Sequence, residues 1–387
     1  FLVILFIPIM TVSGAYTVNS SEMVGGLGIQ SVLIAFISFV TSIGMAAFSP
    51  FFYALVSVRR QKLMSLVGFS LLAVQSYICA NTDSLFILAL NSLIMGFVRQ
   101  TLLMCNLFTL IKYGFGIEAT RNVTPGNEPT DEAGWDALDT EKKASQPIIY
   151  FFFMLLGQIG TWITAWFAYN YHWQMVYYAM LGAILVALLI TLVCMPYNSY
   201  PTKHCPLSFS KFGNVVVFCV MCCSFVYVTV YGKVYDWYDS PYIRWSTAIC
   251  VVSTLLFFYL EKTRRSPYFM LKAFKSRSIQ GGILLFIGLM VCNSSSMLVN
   301  IFVGVGMKTD QIQVAALGNW VLLGYFIGLV VILLLNNKGV HFKWFFALGF
   351  VLIAAASLFM YFEVQTAGLL ERMKWPVIIR ATGMMLL

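Results

Sequence analysis

Charge is the scarcest property of this sequence. Of its 387 residues only 10% are Asp, Glu, Lys or Arg, against 60% apolar and 16% aromatic. That ratio excludes a water-soluble globular chain, which has no interior large enough to bury so much apolar side chain. Histidine is nearly absent as well. His172, His204 and His341 all fall in predicted loops, and none has a glutamate at the helical spacing of a metal site. No metal and no cofactor is expected. Acid is missing from the long apolar runs: the nearest carboxylates, Glu22 and Glu363, stand close to predicted outer ends. The amino end has no charged start, short apolar core and small-residue cleavage site of a secretory signal. It opens inside the apolar run "FLVILFIPIM", and the other end, "WPVIIRATGMMLL", stops short of the roughly 20 residues a span requires. Both ends are therefore expected to be interior points of a longer protein. Nine cysteines are present, Cys222 and Cys223 adjacent, but most lie in apolar runs and match neither a zinc pattern nor a disulfide framework. They read as small packing residues.

What the sequence has in abundance is long apolar segments separated by short polar turns. These predict spans near residues 1–15, 29–56, 63–80, 84–112, 147–169, 175–196, 214–232, 243–261, 279–303, 312–335, 343–362 and, cut short, from 376. Their length is that of helical spans, without the ten-residue alternation of a membrane barrel. The expected class is an all-α polytopic membrane protein with about twelve spans.

The cations sort by side. The loops after the second, fourth, sixth, eighth and tenth spans hold seventeen Lys and Arg, and the opposite loops hold only Lys233, Arg244, Lys308, Arg372 and Lys374. The richer side is cytoplasmic by the positive-inside rule. A net charge of +9 is thus accounted for by topology and anionic lipid, with no nucleic acid required. The stretch "EKTRRSPYFMLKAFKSRS" reads as a basic linker along the inner surface. One cytoplasmic loop differs: "GIEATRNVTPGNEPTDEAGWDALDTEKKASQP" has seven acidic residues, three basic and three prolines. Its composition predicts a mobile insertion, with 113–146 as its extent and a gating or partner role for 118–143 as the alternative.

Within the fourth span, "SLIMGFVRQTLLMCN", stands Arg99. It is about 20 Å of helix from either end, and a side chain of about 7 Å cannot reach a headgroup. Insertion of such an arginine costs at least about 2.5–3.5 kcal/mol, so it must face protein or water. Ser92, Arg99 and Asn106 recur at seven-residue spacing and share a helix face. The default reading is a functional contact inside the bundle; the alternative is a tie between helices through backbone carbonyls. Other spans carry polar stripes. Gln158, Thr161, Trp162, Ala165, Trp166 and Tyr169 share a face of the fifth, as a cavity wall or, for the outer aromatics, an interfacial anchor. Asn293, Ser294 to Ser296 and Asn300 in the ninth, with Asn319 and Trp320 in the tenth, would supply the opposite wall. Gly324 and Gly328 predict a close helix contact, as does Gly44 beside the serines of the second span. A membrane enzyme would need an acid or histidine pair at the membrane face. Asp236 and Asp239 occupy a short outer turn without a metal partner, so an enzyme is not expected.

The order of these features resembles the major facilitator superfamily, in particular its 14-helix drug:proton antiporter branch. The resemblance rests on "ALVSVRRQKL" between spans two and three, "GFVRQ" in span four, "NYHWQMVYY" after span five, "YDWYDSPYIRW", and "FYLEKTRRSPYFMLKAFKSRSI" leading into span nine. It implies two pseudo-symmetric helical halves that rock about a midplane site in the cytoplasmic membrane. Residues 1–197 would form the first half, 198–278 two additional linker helices with the basic linker, and 279–387 an incomplete second half. The implied function is proton-coupled efflux of drug-like or amphipathic compounds. Movement of a small anionic metabolite, or a non-transporting sensor or scaffold on the same fold, are the alternatives. Arg99, Asn106, Gln158, Trp162, Asn293 and Trp320 would bind substrate, and Arg59 and Arg60 would act in the cytoplasmic gate.

Overall fold

The predicted runs become helices with little displacement. In the computed structural model the described residues are 4–17, 31–48, 51, 61–82, 84–114, 132–195, 209–263, 274–301, 311–338, 340–365 and 371–387. They form α1 (Phe6–Thr17), α2 (Ser31–Ala47), α3 (Gln61–Asn81), α4 (Leu85–Gly114), α5 (Glu132–Asn170) and α6 (Trp173–Cys194). α7 (Phe209–Tyr231), α8 (Pro241–Thr263), α9 (Arg277–Ile301), α10 (Gln311–Asn337), α11 (Phe342–Gln365) and α12 (Lys374–Leu386) follow. No strand occurs among the described residues. Eight of these helices are long and apolar enough to cross a membrane. The chain is an all-α polytopic membrane protein.

Its surface is the inverse of a soluble protein's. Phe86, Val193, Trp245 and Leu284 are 72–77% exposed, whereas Ser65, Gln75, Ser76, Asn91, Ser92, Arg99 and Asn106 are buried. Contiguous apolar exposure on this scale needs a nonaqueous solvent, which the acyl chains provide. Periodicity explains which face turns in. On α6 the buried residues are Trp173, Val176, Tyr177, Met180, Ile184, Ala187 and Thr191, a strict three-and-four spacing.

The acidic insertion departs from expectation in its second half. Residues 132–146 continue α5 as helix, and Pro147 lies inside that helix. The segment "EAGWDALDTEKKASQ" is rich in Ala, Glu and Lys, so helix propensity and an acidic first turn outweigh its low hydrophobicity. Residues 115–131 lie outside the described residues.

Two compact units form. The first comprises Phe1–Ile117 and Phe167–Lys275, the second Glu118–Trp166 and Ser276–Leu387. In the first, α3 is joined to α6 at both ends. Lys62 Nζ donates to the Leu192 carbonyl (2.8 Å), Ser76 Oγ to the Tyr177 carbonyl (2.9 Å) and Tyr178 Oη to Asn81 Oδ1 (2.9 Å). α3 and α4 form an antiparallel hairpin, with Asn91 Nδ2 donating to the Gln75 carbonyl (2.8 Å) and Thr109 Oγ1 to Gln61 Oε1 (3.1 Å). α2 meets α4 backbone to backbone through Gly44 and Gly96, where a Cβ would overlap the carbonyl oxygens of Leu93 and Thr41 respectively.

In the second unit α12 is the centre, with Pro376, Ile378, Arg380, Ala381, Thr382, Gly383, Met385 and Leu386 all buried. The predicted Gly324–Gly328 contact is present: a Cβ at Gly324 would lie 2.5 Å from Ala381 Cβ and from the Ile378 carbonyl oxygen. Thr382 Oγ1 donates to the Gly324 carbonyl (3.1 Å) along the same seam.

Because the Gly44 contact is with backbone, no rotamer change relieves it. Gly44→Leu is expected to cost about 3 kcal/mol or more and to shift the purified protein from a monodisperse gel-filtration peak to aggregate. Gly182, with nothing within 4 Å of a Cβ, supplies the control: Gly182→Ala should leave the peak unchanged and raise stability by about 0.5–1 kcal/mol.

Candidate functional site

Arg99 occupies the middle of α4, the longest described helix of the first unit. The expected inward stripe exists: Ser92 and Asn106 are completely buried and Arg99 is 8% exposed. Ser92 Oγ donates to the Leu88 carbonyl one turn earlier (2.7 Å), and Asn106 Nδ2 to the Leu102 carbonyl (2.8 Å). Asn106 Oδ1 is buried without a hydrogen-bond partner among the described residues. Ser65 Oγ is in the same condition on the facing helix α3. Gly68 against Leu102, and Gln61 against Thr109, bracket these two groups and bring them to one level of the hairpin.

Arg99 reaches out of its helix to two others. Nε donates to the Ile9 carbonyl of α1 (2.9 Å) and Nη1 to Met45 Sδ of α2 (3.3 Å). The tie between helices, one of the two roles open from the sequence, is therefore present in the geometry. Both acceptors are neutral, and among the described residues no carboxylate forms an ion pair with this guanidinium. A hydrogen bond to a charged donor contributes about 1.5–3 kcal/mol, close to the insertion cost of about 2.5–3.5 kcal/mol. The tie offsets the burial and leaves little net stabilisation.

The remaining predicted residues are distributed as follows. Gln158 on α5 and Trp320 on α10 belong to the second unit and share one seam. Gln158 Nε2 lies 2.6 Å from where a Cβ on Gly318 would stand, two residues from Trp320. The α5–α10 seam continues through Phe151 and Phe326, whose ring centroids are 6.1 Å apart. Trp320 faces a cation: Lys374 Nζ is 5.2 Å from its ring centroid and 3.6 Å from Glu371. That pairing supplies the tryptophan's contact at the start of α12. Trp162 is 48% exposed, as are Trp166 and Tyr169 in similar measure, while Thr164 and Ala165 between them are buried. Arg59 and Arg60 lie outside the described residues, as does the side chain of Asn293.

The burial of three ionisable groups was not anticipated from the sequence. Arg380 on α12 is 9% exposed, and its Nη2 donates to the Cys292 carbonyl of α9 (3.3 Å). Its signal was legible: it is the one cation besides Arg99 that falls in no loop. Glu261 near the end of α8 is buried, although its neighbours in "LEKTRR" gave it the look of a surface charge. Glu363 of α11 is buried too, at the helix end where the sequence placed it.

No protein-family model matches the sequence, and no curated protein matches it significantly. Solved structures do share the fold. The peptide transporter POT in complex with sulfate superposes with a TM-score of 0.60 at 13% identity, covering 100% of this chain and 79% of that chain. A point mutant of the same transporter in complex with alafosfalin gives 0.57 at 12% identity with the same coverage. A bacterial homologue of the human drug peptide transporters PepT1 and PepT2 gives 0.52 at 15% identity, covering 100% of this chain and 82% of that chain. The fold is accordingly the major-facilitator-type helical bundle. At these identities the likeness concerns the fold, and it does not single out the drug:proton antiporter branch.

The orphaned Asn106 oxygen carries a consequence for stability. Replacing a buried amide that lacks one partner by an apolar isostere removes a desolvation cost of about 1–3 kcal/mol. Asn106→Leu is expected to raise the thermal midpoint of the detergent-purified protein by a few degrees; a fall would show that the oxygen has a stabilising partner.

Proposed function

We propose that this chain forms a secondary active transporter of the cytoplasmic membrane. It moves a small molecule by alternating access, coupled to protons and directed outward for drug-like, amphipathic compounds. The observation that carries this reading is the fold, common over the whole chain to solved transporters. The interior is consistent with it. Polar side chains are collected on inward faces of α3 and α4, and the candidate residues Gln158 and Trp162 follow one another on α5, the helix whose Phe151 meets Phe326 of α10. Arg99, held by neutral acceptors, supplies a fixed positive charge within the first unit. In this reading Arg59 and Arg60 act in the cytoplasmic gate, as the family resemblance implies.

Proton coupling requires a carboxylate that titrates during the cycle. Glu363 and Glu261 are the buried candidates, and Glu363 is the preferred one because it is borne by a helix packed on α12, the core of the second unit. A glutamine mimics the protonated acid. Such a substitution should preserve exchange of solute and abolish its coupling.

A second reading, carriage of a small anionic metabolite, is favoured by one specific observation. Each unit contains a buried arginine, Arg99 in the first and Arg380 in the second.

The test uses the full-length protein in liposomes with an imposed pH gradient, ethidium as the amphipathic probe and benzoate as the anionic one. Gradient-driven ethidium flux supports drug efflux, benzoate flux supports the second reading, and no flux of either contradicts both. Glu363→Gln is expected to keep solute exchange near the wild-type rate and to lose gradient-driven accumulation. Accumulation that survives in this variant would remove Glu363 from the coupling step.

A further inference from the structure

The glycines of the second unit do not all serve one purpose. A Cβ at Gly324 would meet Ala381 Cβ and the Ile378 carbonyl oxygen, and one at Gly328 would meet Met385 Cβ and the Thr382 carbonyl oxygen. Those two let helices approach. Gly318 on the same helix differs, because the three atoms nearest to a Cβ there all belong to one side-chain amide. Gln158 Nε2 would lie at 2.6 Å, Cδ at 3.5 Å and Oε1 at 3.7 Å. No backbone stands among them, so the approach of α5 to α10 is not what Gly318 secures. What it makes room for is the end of Gln158.

That amide has chemistry left over. Gln158 falls near the middle of the span Pro147–Asn170. It is half-buried, and its side chain makes no hydrogen bond among the described residues. An amide offers two N–H groups and a carbonyl oxygen, and leaving all of them unmet in hydrocarbon is costly. A site where a solute or water supplies the partner removes that cost. Trp162 stands one helical turn further along α5, on the same face as Gln158, and is 48% exposed. An amide beside an exposed indole suits a flat apolar body that carries an amine or another hydrogen-bonding group.

We propose that Gly318 is a positioning residue for Gln158. The missing side chain on α10 is a notch that receives the end of Gln158 and sets where its amide meets an amphipathic solute. The solute contact rests on the transport reading, whereas the notch rests on the geometry of α5 and α10. A methyl group in the notch would force the amide to retreat by about 1 Å to regain an ordinary contact of about 3.5 Å.

Gly318→Ala, Gln158→Ala and the double variant test this in the full-length protein, with ethidium as probe and a pH gradient across liposomes. Because the displaced group is the flexible end of one side chain, Gly318→Ala is expected to keep the thermal midpoint at or above the wild-type value. Its KM for ethidium should rise about three- to tenfold, the range for one lost hydrogen bond, with kcat within about twofold of wild type. The double variant should show the KM of Gln158→Ala alone, since no amide is left to displace. An unchanged KM in Gly318→Ala overturns the proposal, as does a double variant whose KM exceeds that of Gln158→Ala. Should Gly318→Ala fail to fold, the double variant decides: recovery supports the notch, continued failure overturns it. Absence of ethidium flux in the wild-type protein contradicts the transport reading and leaves the notch to a thermal cycle with Gly318→Leu. A fall in midpoint that Gln158→Ala relieves supports the notch, and an equal fall in both backgrounds overturns it.

Discussion

A guanidinium that no headgroup can reach is the constraint around which the first unit is arranged. Arg99 sits midway along α4, and α1 and α2 approach it with a carbonyl and a thioether. Close approach of α2 depends in turn on Gly44 and Gly96, which remove the side chains that would hold the two backbones apart. Small residues at the crossing and the buried cation are thus linked. The glycines let the helices meet, and their meeting supplies the neutral acceptors that make the charge tolerable. Since those acceptors about balance the cost of burial, stability alone gives little reason for an arginine there. An apolar residue of similar length would serve the fold as well.

The second unit repeats this logic with different residues. Gly324 and Gly328 bring α10 against α12, Gly349 and Gly383 bring α11 against α12, and Arg380 extends to the Cys292 carbonyl of α9. In each unit a glycine seam accompanies a buried arginine whose donor reaches a carbonyl on another helix. What differs is the company. Arg99 reaches a carbonyl of one helix and a thioether of another, whereas Arg380 donates to a carbonyl of α9.

Much of this was legible in the residues themselves. The spans were, because an apolar run of about 20 residues in lipid has helix as its only continuous option. The Ser92–Arg99–Asn106 face was, because seven residues are two turns. That Arg99 ties helices was not. A tie and a binding contact both require an inward arginine, and only the Ile9 and Met45 positions reveal the tie. Trp320 was open for a related reason: an aromatic within a span signals a cavity wall or a partner for a cation, and the cation, Lys374, comes 54 positions later. Arg380 and Cys292 lie 88 positions apart in the chain, and no local spacing announces their meeting. The helical start of α5 was hidden by its acidity, a poor guide where propensity and the helix dipole favour the same conformation.

The central claim is that Arg99 is retained for the movement of solute and contributes little to stability. Arg99→Met tests it most directly, with the thermal midpoint in detergent and solute counterflow in liposomes measured on the same preparation. The account predicts a midpoint within a few degrees of wild type and counterflow reduced to background. Counterflow at the wild-type rate with an unchanged midpoint, or a collapse of the folded protein, would contradict it.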